Sequence, residues 1–357
     1  MLKSLQKAFK VKEVRDRLLY TFMMLVVIRI GCCLPIPGVD PSYLHDFFSN
    51  LQNSGMGFFN AITGGSFSSM SIFALSITPY ITSSIIMQLL TIAIPKLEEM
   101  QKDGEDGRKK IAEYTRYLTV GLALFESCAM AVGLGGKGLL LEDHRNIWGY
   151  LTVVAAMTAG SALLMWIGER ITDNGVGNGI SIVLLINIVS GTPQDMMTLY
   201  ERFMAGRSVA VATVSGIIVL AIIVAIVVFV LVLNDAERRI PVQYSKKMQG
   251  RRMIGGQSTY IPLKVNTANV IPVIFASSLM SFPGIILALL GKSAGTGIGG
   301  KIITGLSSSS WCNPQQPIYS LGLLLYIVLV VFFAYFYTSI TFNPLEIADN
   351  MKKQGGF

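Results

Sequence analysis

Two histidines, four cysteines, a Gly-Lys-Ser tripeptide and two charges inside apolar runs are the residues whose types could support chemistry in this 357-residue chain. A metal centre or an activated nucleophile needs such groups to converge. His45 and His144 fall in loops outside every apolar run, so neither a metal site nor a Ser-His pair is built from them within a membrane. Cys32, Cys33, Cys128 and Cys312 contain no Cys-x-x-Cys pair and lack the spacing of a disulfide framework; they read as small apolar fillers. Gly291-Lys292-Ser293 looks like the end of a phosphate loop, but Ile286 stands where the first glycine is required. Gly175-Val176-Gly177-Asn178-Gly179 follows an apolar run rather than a strand, which makes it a tight turn and not a dinucleotide fingerprint. No catalytic group, metal ligand set or cofactor is expected, and an enzyme is not the reading.

Arg29 and Glu126 are informative for another reason: each lies in a stretch long enough to cross a bilayer, where charge is costly. Arg29 is near the outer end of its stretch, and snorkelling toward the interface is favoured over a functional pairing. Glu126 is near the middle of its stretch and is expected to face a polar or wet interior. One glutamate does not make a proton relay.

The elements that must position these residues are membrane spans. With 52% hydrophobic and 14% charged residues and a mean hydropathy of +0.56, the chain would expose large apolar patches as a soluble domain. A spanning helix needs roughly 20 apolar residues, and eight stretches qualify: 18–34, 71–94, 117–134, 147–168, 180–199, 209–233, 268–290 and 318–342. Pro193 and Asp195 weaken the fifth. The first follows a basic tail as a signal peptide would, yet leads into Leu34-Pro35-Ile36-Pro37-Gly38 rather than a small-residue cleavage site, and is kept as a span. Ahead of it, Leu2, Leu5 and Phe9 among lysines fit either an amphipathic surface helix or a frayed basic tail.

Threading follows from lysine and arginine. Of the 29, 22 fall in the N-terminal tail and alternate loops on its side, six fall in the other loops, and Arg29 is intramembrane. Both termini are therefore expected in the cytoplasm. The loop 234–266 carries Arg238-Arg239, Lys246-Lys247 and Arg251-Arg252, which suits either docking of a large anionic partner or topology alone.

Between Phe47 and Pro95 there is no charged residue, yet Phe58-Phe59-Asn60-Ala61-Ile62-Thr63-Gly64-Gly65-Ser66-Phe67-Ser68-Ser69-Met70 is too polar and short to span. Irregular backbone at membrane depth must be shielded by protein or line a cavity. The expectation is a short re-entrant half-helix bent at Gly64-Gly65; the alternative is an external loop capped by Phe58 and Phe59. Pro79 interrupts the second span, Pro272 and Pro283 the seventh, and spans five apart with matched prolines point to an inverted repeat enclosing a pathway. Ile77 and Ile81, one helical turn apart, and Ile274 would form an apolar constriction if they surround that pathway.

These stretches resemble the SecY family, the channel subunits of the bacterial Sec translocon. The matching residues are Arg29-Ile30-Gly31, Pro35-Ile36-Pro37-Gly38, Gly64-Gly65, Ser71-Ile72-Phe73-Ala74-Leu75 and Thr78-Pro79-Tyr80-Ile81. They continue through Tyr114-Thr115-Arg116-Tyr117, Gly177-Asn178-Gly179-Ile180-Ser181, Gln257-Ser258-Thr259, Pro262-Leu263-Lys264-Val265-Asn266, Asn343-Pro344-Leu345-Glu346 and Ala348-Asp349-Asn350. The resemblance runs in order from about Arg17 to Phe357, and several matches lie in loops.

The resemblance implies an all-α polytopic membrane protein built as a clamshell of two inverted, pseudo-symmetric halves, with eight spans present of an expected ten and a re-entrant plug. The segments would be 1–17 as the cytoplasmic amphipathic lead, 18–199 as the N-terminal half, and 209–357 as an incomplete C-terminal half holding the loop 234–266. It further implies a pore ring of Ile77, Ile81, Leu184 and Ile274, a plug over 58–70, and a lateral gate between spans two and seven with Gln88, Glu126, Asn266 and Pro272. Arg238, Arg239, Arg251 and Arg252 would meet the SecA motor or the ribosome. The other implied partners are the small subunits SecE and SecG, signal peptides, the nascent polypeptide and lipid. The location implied is the bacterial cytoplasmic membrane, with a passive pore that moves unfolded chains across it or sideways into lipid. The chain ends before the family's ninth and tenth spans. A small-solute secondary transporter is the alternative; it needs midplane ion ligands, for which Glu126 alone is available. An intramembrane protease fails for want of an embedded histidine or paired aspartates.

Overall fold

The computed structural model describes residues 11–40, 60, 63–134, 140–141, 145–242, 247–249, 252–254, 259–289, 298–306, 311, 317–341 and 344–353. Residues 1–10 of the amphipathic lead expected over 1–17, both histidines, Cys312 and Gly291-Lys292-Ser293 lie outside them, while 12–17 already belong to the first helix. The chain divides into two compact units, Met1–Asp195 with Pro283–Asn313, and Met196–Phe282 with Pro314–Phe357.

The first unit is organised around α5. It contains α1 (Lys12–Cys33), α2 (Thr78–Ala93), α3 (Pro95–Lys102), α4 (Glu105–Leu134), α5 (Ile147–Asn174) and the first part of α6 (Gly179–Phe203). Gly149, Val153, Met157, Gly160, Leu164, Gly168 and Ile171 recur every three or four residues along α5 and are all buried, so one helical face is committed to protein. α4 packs on α5 and on α2, and α1 packs on α5. At Gly160 a side chain would overlap the Ile72 carbonyl, so glycine is what lets the backbone ahead of α2 lie against α5.

The single helix expected over 71–94 is not what forms. The helix starts at Thr78, with Pro79 in its first turn where a missing N–H costs nothing. It stops at Ala93 because Pro95 pushes Ile94 into extended backbone, and the chain bends by 108° into the polar α3. α4 begins with Glu105 and Asp106, which complement the positive end of the helix dipole. α6 runs unbroken through Pro193.

The second unit holds the rest of α6, α7 (Val209–Asp235), the start of α8 (Ile271–Leu289), α10 (Leu321–Thr341) after a 3-10 turn at Pro317–Ser320, and α11 (Pro344–Lys353); α9 (Ile298–Leu306) falls in the first. Against the all-α expectation, the loop after α7 forms strands. β1 (Glu237–Val242) pairs antiparallel with β4 (Thr259–Lys264), and β2 (Lys247–Gln249) pairs with β3 (Arg252–Ile254). Phe275 of α8 stacks on Phe333 of α10 at 5.2 Å between ring centroids, and Thr267 and Thr338 share a 3.2 Å hydrogen bond.

Among the described residues, four helices are long and apolar enough to cross a membrane (α5, α6, α7 and Leu321–Ser339 of α10), or five if the bent α2–α3 pair is one span. That is fewer than the eight stretches read from composition. α1 carries Asp16, Arg17 and Arg29, and α8 contributes a shorter apolar helix, Ile271–Met280.

Candidate functional site

Residues 63–77 form successive turns between α1 and α2, with Gly64 and Gly65 in the left-handed region at φ +66° and +82°. The half-helix expected here is absent from 63–70, and only Asn60 is helical; Phe58, Phe59, Ala61 and Ile62 lie outside the described residues. Serine explains the difference. Ser68 Oγ and Ser69 Oγ donate to the Gly65 carbonyl at 2.9 and 3.1 Å, and Ser71 Oγ donates to the Ser66 carbonyl at 3.3 Å, offering the backbone an alternative to a helix ladder.

The segment is tied at its far end to the proline-rich turn after α1. The Ile36 N–H donates to the Met70 carbonyl and the Ile72 N–H to the Leu34 carbonyl, both at 3.0 Å, flanking a Pro35–Ser71 bridge. Met70 and Ser76, at φ +40° and +53°, are left-handed without being glycine. Such geometry costs about 1–2 kcal/mol per residue and persists only where the surroundings dictate it.

For Ser76 the surroundings are Asn187 of α6. Its Nδ2 donates to Ser76 Oγ at 3.0 Å, and the residue is 1% exposed. Ser190 Oγ donates to the Asn187 carbonyl at 2.6 Å, and Arg29 Nη1 donates to Ser190 Oγ at 2.9 Å and, at the longer 3.5 Å, to the Gly64 carbonyl. A side chain on Gly64 would come within 2.9 Å of the Asn187 backbone, so both the φ and the approach require glycine. Arg29 is thus paired across three elements, not snorkelling. Sequence reading passed over Asn187 and Ser190, although an amide within Ile182-Val183-Leu184-Leu185-Ile186-Asn187-Ile188-Val189 is the signal that buried polarity leaves.

Beyond this polar seat lies an apolar cluster. Ile77, fully buried at the N-cap of α2, joins Ile28, Cys32, Phe73, Leu164, Ile167, Ile171 and Val183, with Ile81 and Leu184 packed against them partly exposed. Three of the four residues assigned to the constriction therefore meet in one place. Ile274, partly buried in the first turn of α8, belongs to the other unit.

The residues assigned to the gate are dispersed in character. Gln88 on α2 and Asn266 are exposed, Glu126 on α4 is half-buried beside Ser127, and Pro272 is buried as the second residue of α8. Asn266 Oδ1 accepts the Asn269 N–H at 3.0 Å and so caps the approach to α8. Arg238 and Arg239 are exposed on β1 opposite Leu263 and Pro262. Arg252 is in β3, and Arg251 lies outside the described residues. Also in the first unit, Arg116 Nε donates to Glu169 Oε1 at 2.8 Å, and that bond holds the guanidinium above its ordinary range.

The SecY family model matches residues 71–357. The protein translocase subunit SecY of Streptomyces scabiei is 44% identical over 371 residues, covering 100% of this chain and 81% of that one. The subunit of the same description from Escherichia coli (strain K12) is 42% identical over 349 residues, covering 97% and 76%. Among solved structures, one described as showing that the plug domain of SecY stabilises the closed state of the translocation channel and maintains a membrane seal aligns with a TM-score of 0.60 at 21% identity, over 96% of this chain and 76% of that one. Sec61 in the canine ribosome-channel complex from the endoplasmic reticulum aligns at 0.55 and 21% identity, over 94% and 75%.

Proposed function

The chain belongs to the SecY family, and we infer from that membership that it is the channel subunit of a protein translocase, conducting unfolded polypeptide through a membrane. Membership favours this over the small-solute transporter. The finer reading is residue by residue. Ile77, Ile81, Leu184 and Ile274 make a ring of branched apolar side chains that deforms around a passing chain and expels water and ions otherwise. Residues 58–70 are the stopper above the ring. Spans two and seven, with Gln88, Glu126, Asn266 and Pro272, part sideways to release apolar helices into lipid. Pro79 and Pro272, each second in its helix, support the pairing of the two halves.

Arg238, Arg239, Arg251 and Arg252 on the strand-forming loop dock the ribosome or the SecA motor, and SecE and SecG complete the assembly. The canine Sec61 likeness supports a ribosome as one such partner. The charge asymmetry supports a cytoplasmic N-terminus in a bacterial cytoplasmic membrane.

The observation that carries the reading is the family match over residues 71–357 with 42–44% identity to translocase subunits; the packing of Ile77, Ile81 and Leu184 in or against one apolar cluster supports the ring. Photocrosslinkers at Ile81 and Ile274 are expected to form adducts with a stalled secretory chain; adducts at neither would remove the ring. Deleting 58–70 is expected to raise resting ion leak, and an unchanged conductance would remove the stopper.

A further inference from the structure

We propose that Arg29 is the positioning residue that seats the stopper: its guanidinium, held by Ser190 of α6, fastens the Gly64 bend onto that helix. The proposal rests on reading 58–70 as the stopper and assigns the force that keeps it home. Arg29 lies in the wall of an apolar groove of ≈ 500 Å³ whose other walls include Phe22, Val26, Ile30 and Ile186. A cation in such surroundings must find acceptors, because leaving it unpaired at membrane depth is expensive. Two are supplied here, Ser190 Oγ at 2.9 Å and the Gly64 carbonyl at 3.5 Å, and the second belongs to the segment that must move.

The same hydroxyl passes the connection on. Ser190 donates to the Asn187 carbonyl, and Asn187 holds Ser76 in its left-handed conformation, so one chain of bonds runs from α1 through α6 to both ends of the turn segment. Hydrogen bonds from a charged donor are about twice as strong as neutral ones. Gly64 is the one residue type that allows this seat, since a side chain would strike the Asn187 backbone. Withdrawal of the bend leaves Arg29 with a single hydroxyl in an apolar wall, which favours its return. The long Gly64 contact is weak enough to break when a substrate enters.

The test is resting ion conductance of the reconstituted full translocase in planar bilayers. Arg29→Gln is expected to raise the resting open fraction about threefold or more, the effect of losing one long hydrogen bond, with Arg29→Lys recovering part of the seal. In a channel already lacking 58–70, Arg29→Gln is expected to add nothing. If the deletion leaks while R29Q stays tight, the seat is wrong and the stopper stands; if the deletion itself stays tight, the stopper reading fails and takes the seat with it. An additional leak from R29Q on top of the deletion also overturns the proposal, because Arg29 would then act elsewhere. Ser190→Ala keeps the charge while cutting its tether, so it carries the test if R29Q assembles poorly. An S190A leak about threefold above the parent is expected, and none would count against the seat.

Discussion

α5 and α7 are 28 and 27 residues long, yet their surroundings are opposite. Of the most apolar 18-residue window, 44% is buried within the protein in α5 and none in α7, although α7 is the more apolar helix. Water would enforce the reverse order, driving the greasier helix inside. Lipid tails are as apolar as leucine, so hydrophobicity decides only that a helix enters the bilayer, and protein contact goes to the one with small residues that let backbones approach. Gly149, Gly160, Ser161 and Gly168 give α5 that face; α7 also holds Gly216, Ala221 and Ala225, but sets the two alanines among Val224, Val228, Phe229 and Val232 and has no buried side chain.

Substitutions can break this contrast in descending order of effect. Gly160→Leu drives a side chain into the Ile72 carbonyl and is expected to cost more than about 3 kcal/mol, read as loss of the folded fraction in a detergent unfolding titration. Ile77→Ala, which empties a fully buried site, is expected to cost about 2–4 kcal/mol in the same titration. For Asn187→Ala, leaving Ser76 Oγ without its donor should cost about 1–2 kcal/mol, seen as faster amide exchange over 63–77; unchanged exchange there would detach Asn187 from the turn segment. Arg116→Ala and Glu169→Ala, partners on an exposed pair, are expected to couple by less than about 1 kcal/mol in a double-mutant cycle, shrinking with salt. Val224→Leu on α7 should stay within about 0.5 kcal/mol, and a cost near that of the α5 change would erase the contrast between the helices.

What could be read beforehand follows the same division between entry and contact. Apolar length marked stretches that include the four long apolar helices, and Gly64 and Gly65, where a bend was expected, both adopt left-handed φ. The start of α2 was not legible, because 71–77 is as apolar as the helix that follows and its turns are imposed by pairing with the Pro35 region and by Gly160. Arg29 was misjudged on depth alone, since Ser190 lies 161 residues away and no local pattern announces it. The strands after α7 were obscured by charge, with Arg238-Arg239 and Pro241 inside β1 hiding an alternation that only β4 makes useful. Ile77 and Ile81 were picked out from helical spacing and Leu184 from family resemblance, and all three pack in or against one apolar cluster.

Because no side chain of α7 is buried among the described residues, the membrane has a large share in setting how that helix stands. At about 1.5 Å per residue its 27 residues reach about 40 Å, well past an average hydrocarbon layer of roughly 30 Å. Ser215 Oγ donates to the Phe203 carbonyl at 3.0 Å near its start; along the rest, where no side chain is buried among the described residues, the surplus is taken up by leaning. Thinner or thicker lipid would then change the inclination of this rod, and with it the pull on the strand-bearing loop joined directly to its end, making bilayer depth a variable to which that loop is mechanically coupled.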